Sequence, residues 1–209
     1  MRMKGYDKMN LANKLTVLRI VLVPIMVGIA YIPFKGEFLG ISANMWYMNL
    51  IFIIASITDK LDGNIARSRN QITTFGKFMD PLADKILVIS AMLILVEQGL
   101  LPAIIPIITL IREFAVSGYR LIAVQNNGEV IAANMWGKVK TVTQMIAIIA
   151  AFININNTNI FGEFIKGTLT GLPLIINALT TIMFVISTIA TIFSGYEYLK
   201  NSKELLKDC

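Results

Sequence analysis

Four aspartates at helical spacing are the residues of this chain best suited to chemistry. Asp59 and Asp62 are three residues apart, and Asp80 and Asp84 are four apart, so each pair shares one helix face. The chain is 56% hydrophobic, and one aspartate at mid-bilayer depth costs about 2.5–3.5 kcal/mol on insertion scales. Two divalent cations would neutralise all four acids. Metal ions about 4 Å apart are a recurrent device for displacement at phosphorus.

Glycine and arginine accompany the acids. Gly63 and Gly76 remove side chains beside them, so a phosphate ligand can approach the backbone, and Arg67 offers a guanidinium fork for phosphate oxygens. The alternative is simple interfacial ion pairing, such as Asp62 with Arg67. That explanation would serve for one acid. Four acids with both glycines and the arginine favour a metal and phosphate site.

Histidine is absent, and the one cysteine is Cys209. The commonest zinc ligand, the usual general base and any internal disulfide are therefore excluded. A metal ion in this chain would need oxygen ligands, which favours magnesium, manganese or calcium.

The elements that must position the acids are membrane helices. Only 15% of the residues are charged, well below the usual quarter of a soluble domain. The ranges 38–58, 141–162 and 167–196 carry no charge, and about 20 residues suffice for one crossing. We predict an all-α membrane protein, a single domain over residues 1–209, with six transmembrane helices. Their expected ranges are 11–34, 44–67, 77–97, 101–125, 137–155 and 171–199.

Basic residues predict the orientation of these spans. They cluster before or at the start of the first span, between the second and third, at the start of the fifth and after the sixth. Under the positive-inside rule, both termini and the acids face the cytoplasm. The first dozen residues are a candidate for a short helix on the membrane surface. Nucleic-acid binding is a poor explanation of the net charge of +6, because the basic residues flank apolar spans.

At these residues the chain resembles the CDP-alcohol phosphatidyltransferase family, whose pattern is D-x-x-D-G-x-x-A-R followed by G-x-x-x-D-x-x-x-D. The matching positions are Asp59, Asp62, Gly63, Ala66, Arg67, Gly76, Asp80 and Asp84. The resemblance implies a multi-pass enzyme of the cell membrane that uses two Mg²⁺ or Mn²⁺ ions and forms a homodimer. A hydroxyl of the acceptor would attack the β-phosphorus of CDP-diacylglycerol, and CMP would leave.

The resemblance also implies roles for individual residues. Asp59, Asp62 and Asp80 would bind metal, and Asp84 would take the proton of the attacking hydroxyl and is a candidate fourth ligand. The residues assigned to CDP-diacylglycerol are Gly63, Ala66, Arg67 and Gly76, with Asn13 and Thr16 bordering the nucleotide.

Cations in the fourth and fifth spans bear on the acceptor. Arg112 follows an apolar run, Arg120 lies eight residues further on, and Lys138 opens the next span. Intramembrane arginine is a functional hypothesis by default, and these cations would suit an acceptor that carries phosphate. The alternative for Arg112 is pairing with Glu113 or a motif aspartate. Stretches 112–120 and 132–141 are also similar to family members that use sn-glycerol 3-phosphate, which would give phosphatidylglycerophosphate.

Other functions remain open at this point. The same chemistry with phosphatidylglycerol or inositol phosphate as acceptor is the nearest alternative. A cation transporter is more remote, because both acid pairs lie towards the predicted cytoplasmic ends of their helices. A structural membrane scaffold would leave the four acids unexplained.

Overall fold

The computed structural model describes residues 11–68, 74–125, 135–155 and 158–201. Helices dominate this part of the chain, with one short two-stranded hairpin between the first two. The elements are α1 (Leu11–Tyr31), β1 (Glu37–Phe38), β2 (Ile41–Ser42), α2 (Ala43–Ser68), α3 (Thr74–Glu97), α4 (Ile104–Gln125), α5 (Met135–Phe152), α6 (Ile160–Lys166) and α7 (Gly171–Asn201).

The all-α class is confirmed, and each predicted span coincides with a long helix. The hairpin of β1 and β2 and the short helix α6 were not predicted, and both lie between predicted spans. α6 is defined by its ends: the Asn159 side chain accepts a hydrogen bond from Gly162 N. Gly167 closes the helix in the left-handed conformation, with φ of 65°.

The contacts of the chain group into two compact units. The first comprises Met1–Glu37 and Ser42–Ala91, and the second comprises Phe38–Ile41 and Met92–Cys209. In the first unit α1 packs against α2. Met26 of α1 and Phe52 of α2 belong to its core and are fully buried. That the whole chain forms one domain stays a prediction.

Asn44 joins the end of α1 to the start of α2. Its Nδ2 donates to Ile29 O at 2.7 Å and to Ile32 O at 2.6 Å. Its Oδ1 accepts from Phe34 N at 3.2 Å. The last carbonyls of a helix have no partner within the helix, so this one amide stabilises the α1 terminus and fixes the chain reversal.

The second unit is built around α7, which packs against α4, α5 and α6. Its core mixes apolar residues with hydrogen-bonded polar ones. Gln144 Nε2 donates to Thr109 Oγ1 at 3.3 Å and also contacts Met92 Sδ. In an apolar surrounding such bonds between helices stabilise packing modestly, by about 0.6 kcal/mol each.

Two helices in the described ranges are long and apolar enough to cross a membrane, Asn13–Tyr31 within α1 and Gly171–Tyr198 within α7. Only 22% and 28% of the residues in their most apolar windows are buried, as expected of helices that contact lipid on part of their surface. These two spans support a membrane protein. The remaining four crossings, the cytoplasmic termini and the interfacial helix remain predictions, and the last falls largely outside the described residues.

Candidate active site

One turn of α1 contacts both acidic helices of the first unit. Thr16 and Arg19 are three residues apart on one face of α1, and both are fully buried. Thr16 Oγ1 donates a hydrogen bond to Asp80 Oδ1 on α3 at 2.5 Å. Arg19 forms an ion pair with Asp59 on α2, with 2.9 Å between Nη1 and Oδ1. These polar groups of α1 therefore hold one aspartate of each motif.

The Arg19 guanidinium is held at more than one atom. Its Nε donates to the carbonyl oxygen of Ala55 at 3.4 Å, one turn before Asp59. Thr58 Oγ1 donates to the same carbonyl at 2.7 Å. A buried charge is very costly unless it is paired and hydrogen-bonded. The Asp59 ion pair is therefore a condition for burying Arg19 in this helix.

Asp59 and Asp80 lie close enough for their negative charges to repel each other. The Asp59 side chain is 37% exposed, whereas Asp80 and Asp84 are half-buried on successive turns of α3. Two mutually repelling carboxylates, one of them open to ligands, form an all-oxygen donor set. The chemistry of that set fits a hard divalent cation such as Mg²⁺ or Mn²⁺.

For the remaining predicted residues of the acidic site, the structure describes only the position of the backbone. Asp62, Gly63, Ala66 and Arg67 lie in the last turns of α2, and Gly76 lies in the first turn of α3. Their side chains lie outside the described part. Among the side chains that the structure does describe, no three carboxylates form a cluster able to hold a metal ion. The four-ligand site thus remains a prediction that needs Asp62. Asn13 is half-buried on α1, and its part in the nucleotide pocket is untested.

A second charged cluster lies within the second unit. Glu113 accepts from Arg112 Nη1 at 2.9 Å and from Lys140 Nζ at 2.6 Å, both at its Oε1. Arg112 Nη2 donates to Ser194 Oγ on α7 at 2.5 Å. The guanidinium carbon of Arg112 is 5.8 Å from the ring centre of Tyr198, within cation–π range. We call these five residues the Arg112 cluster.

The Arg112 cluster is largely buried and carries one net positive charge. Arg112, Glu113 and Lys140 have side chains between 9% and 13% exposed. The pairing of Arg112 with Glu113 is the alternative that the sequence left open. Because Lys140 shares the Glu113 carboxylate with Arg112, the pairing still leaves one positive charge in excess. A buried site with such an excess favours an anion, and guanidinium recognises phosphate well.

The other two predicted acceptor residues differ in placement. Lys138 is exposed on α5, whereas Lys140, two residues later, points into the unit. Arg120 lies near the end of α4, and its side chain is outside the described set. Trp136 stacks on Phe193 with ring centres 5.1 Å apart, and both rings are exposed. That pair suits the aromatic belt of a membrane interface.

Comparison with known proteins identifies the class. The sequence profile of CDP-alcohol phosphatidyltransferases matches residues 9–193, which is most of the chain. The chain belongs to the CDP-alcohol phosphatidyltransferase family, a family of enzymes that generally depends on divalent metal. The resemblance carried by the aspartate motif is therefore confirmed.

Several bacterial relatives are similar over almost their whole length. A relative in Bacillus subtilis is 42% identical over 203 residues, covering 95% of this chain and 97% of the relative. A relative in Haemophilus influenzae is 34% identical over 204 residues, covering 96% and 97%. One in Rickettsia bellii is 33% identical over 196 residues, covering 93% and 96%. All three are named CDP-diacylglycerol–glycerol-3-phosphate 3-phosphatidyltransferase.

The structure adds three residues that the sequence-based site omitted: Arg19, Glu113 and Lys140. Arg19 carried a usable signal, since it is a charge three residues after Thr16 in an apolar helix. Glu113 had been considered only as a partner that would neutralise Arg112. Lys140 could not be separated from Lys138 by spacing alone, because the choice depends on which face of α5 packs against α7.

Proposed function

We propose that this chain transfers the phosphatidyl group from CDP-diacylglycerol to sn-glycerol 3-phosphate, giving phosphatidylglycerophosphate and CMP. The observation that carries the proposal is end-to-end similarity to three bacterial relatives whose names state that activity. The donor follows from the family motif. The choice of a phosphorylated acceptor gains physical support from the positive excess of the Arg112 cluster.

The donor site is built from the first unit. Asp59, Asp62, Asp80 and Asp84 would hold two divalent cations, Mg²⁺ or Mn²⁺. When bound, these ions neutralise the donor diphosphate and stabilise the charge that develops on the leaving phosphate. Thr16 orients the carboxylate of Asp80 through its hydrogen bond, as groups around a metal site commonly do.

The remaining residues of the donor site bind the nucleotide and the diphosphate. Gly63, Ala66 and Gly76 would leave space for the donor at the helix backbone, and Arg67 would contact phosphate. Asn13 and Thr16 would border the cytidine.

Phosphatidyl transfer then needs one bond made and one broken. A hydroxyl oxygen of glycerol 3-phosphate forms a bond to the β-phosphorus of CDP-diacylglycerol, and the bond from that phosphorus to the CMP oxygen breaks. The hydroxyl proton passes to the carboxylate of Asp84. Ionised aspartate is a weak base, with an unperturbed pKa of about 4, so the hydroxyl must be acidified by its surroundings during attack. No covalent intermediate on the protein is required.

The Arg112 cluster would bind the phosphate of the acceptor. Arg112 supplies directed donors, and Lys140 supplies a compact positive charge, while Glu113 fixes the distance between them. Arg120 and Lys138 are further candidates for the same anion. The phosphate of an acceptor would offset the positive excess of Arg112, Glu113 and Lys140, which favours a phosphorylated acceptor over a simple alcohol.

We further propose a multi-pass protein of the cell membrane with its active site facing the cytoplasm, where the soluble acceptor is found. The basic residues that flank the predicted spans support this orientation. Homodimerisation is proposed on family resemblance. The outward-facing apolar surfaces of α1 and α7 are consistent with packing among lipid or helices.

An acceptor panel tests the proposal. Purified protein in detergent is given CDP-diacylglycerol, Mg²⁺ and one of four acceptors: glycerol 3-phosphate, glycerol, phosphatidylglycerol or inositol phosphate. CMP release is measured and the lipid product identified by mass spectrometry. We expect turnover with glycerol 3-phosphate that EDTA abolishes. Preference for another acceptor would replace the substrate assignment. Metal flux in proteoliposomes with no lipid product would point to transport instead.

A further inference from the structure

Arg19 is the most deeply buried charge on α1. It has no exposed surface, although it lies within the apolar span Asn13–Tyr31. It forms an ion pair with Asp59, with 2.9 Å between Nη1 and Oδ1. Arg19 could not be left alone cheaply, because its buried charge would then be uncompensated.

The pair uses one oxygen of Asp59, Oδ1. A carboxylate has a second oxygen, and carboxylates that bind metal are commonly held by a further partner. Asp59 is also repelled by Asp80. A positive charge beside Asp59 therefore stabilises the acidic site most when no metal is bound, because bound metal would itself offset that repulsion.

We propose that Arg19 is a fixed counter-charge for the acidic site. It stabilises the site without metal and remains beside Asp59 when metal binds, where its charge opposes the incoming cation. This inference rests on the proposed metal site. If Arg19 only held α1 against α2, its removal would also lower stability, but by the same amount with and without metal. Dependence on metal separates the two roles.

The experiment compares wild type with Arg19→Met, which keeps the length of the side chain and removes the charge. Arg19→Lys is the conservative variant, and Met26→Ala is the control. Met26 is fully buried on the same helix, so its truncation loosens packing without touching a charge. Melting temperatures are measured in detergent in EDTA and again in saturating Mn²⁺, and Mn²⁺ affinity is measured by EPR.

For Arg19→Met we expect a lower melting temperature in EDTA and a metal-induced rise larger than that of wild type. Since a ligand stabilises by RT ln(1 + [L]/Kd), the larger rise must appear as tighter Mn²⁺ binding, on the order of tenfold. Arg19→Lys should return the rise towards the wild-type value. Met26→Ala should lower both melting temperatures and leave the rise unchanged.

A metal-induced rise in Arg19→Met equal to or smaller than the wild-type rise would overturn the counter-charge role and leave the proposed function standing. If Arg19→Met does not fold in EDTA, whether or not it folds in Mn²⁺, Arg19→Gln, which is neutral but can still form hydrogen bonds, decides by the same comparison. Wild type that binds no Mn²⁺ would overturn both this inference and the proposed metal site.

Discussion

Replacing Arg112 by methionine should weaken use of glycerol 3-phosphate far more than use of CDP-diacylglycerol. Methionine occupies similar space without charge or donors. Arg112 donates to Glu113 and Ser194 at 2.9 and 2.5 Å, so its guanidinium is held in place before any acceptor binds. A hydrogen bond to a charged group contributes about 1.5–3 kcal/mol. Loss of one such contact to the acceptor phosphate should raise the KM for glycerol 3-phosphate about 10- to 150-fold.

Arg112→Met should lower the free energy of unfolding by less than a substitution that leaves a buried charge with no partner. Glu113 keeps Lys140 as a partner at 2.6 Å, so the substitution does not leave its carboxylate alone. We expect the free energy of unfolding to fall by about 2–4 kcal/mol. A denaturation curve in detergent measures this value separately from the kinetics.

The assay is initial CMP release with each substrate varied in turn. The matched control is Lys200→Met, because Lys200 is an exposed cation on α7 outside the cluster. Arg112→Lys should lie between wild type and Arg112→Met, because lysine keeps the charge and loses the planar fork. A folded Arg112→Met protein with an unchanged KM for glycerol 3-phosphate would refute the assignment of the acceptor phosphate to this cluster.

Three further predictions concern the base, the topology and the short helix α6. Asp84→Asn should lower kcat about 10²- to 10⁴-fold, and EPR should still detect Mn²⁺ bound through Asp59, Asp62 and Asp80; full activity would rule out Asp84 as the base. Cys209, the one cysteine, should react with a membrane-impermeant maleimide in inside-out vesicles but not in intact cells, with Cys209→Ser as the blank; the reverse pattern would contradict a cytoplasmic C-terminus. Hydrogen bonds from Thr168 and Lys166 hold the pKa of Glu163 below its usual range, so Thr168→Val should raise that pKa in an NMR titration. Because the ionised form is favoured, any stabilisation from Glu163 is present above its ordinary pKa and lost as the pH falls; an unchanged pKa would rule out the Thr168 contribution.

Local patterns were sufficient to predict the long helices. Apolar runs set their positions, and α7 begins at the expected Gly171. α4 begins three residues later than the predicted residue 101, because Pro102 lies in the connection before it. α6 was missed because seven residues are too few for a clear periodic signal. Its ends depend on a cap and on Asn159 donating to Gly99 O at 2.7 Å, a contact between distant parts of the sequence.

The candidate site, too, could be predicted from the sequence only in part. The spacing of the aspartates predicted a metal site, which stays a prediction, and the family membership confirmed the resemblance that the motif carries. The partners of those aspartates could not be predicted, because Thr16 and Asp80 are 64 residues apart in sequence. The Arg19 pair likewise depends on how α1 packs against α2. Spacing also cannot decide between Lys138 and Lys140, since residues two apart on a helix point in widely different directions.

Anomalous diffraction from crystals grown with Mn²⁺ would test the central claim most directly. The claim is that Asp59, Asp62, Asp80 and Asp84 hold two divalent cations for phosphatidyl transfer. We predict two anomalous peaks about 4 Å apart among these carboxylates, with the Arg19 ion pair to Asp59 retained. No peak at the four aspartates, or Mn²⁺ bound only elsewhere in a catalytically active preparation, would contradict it.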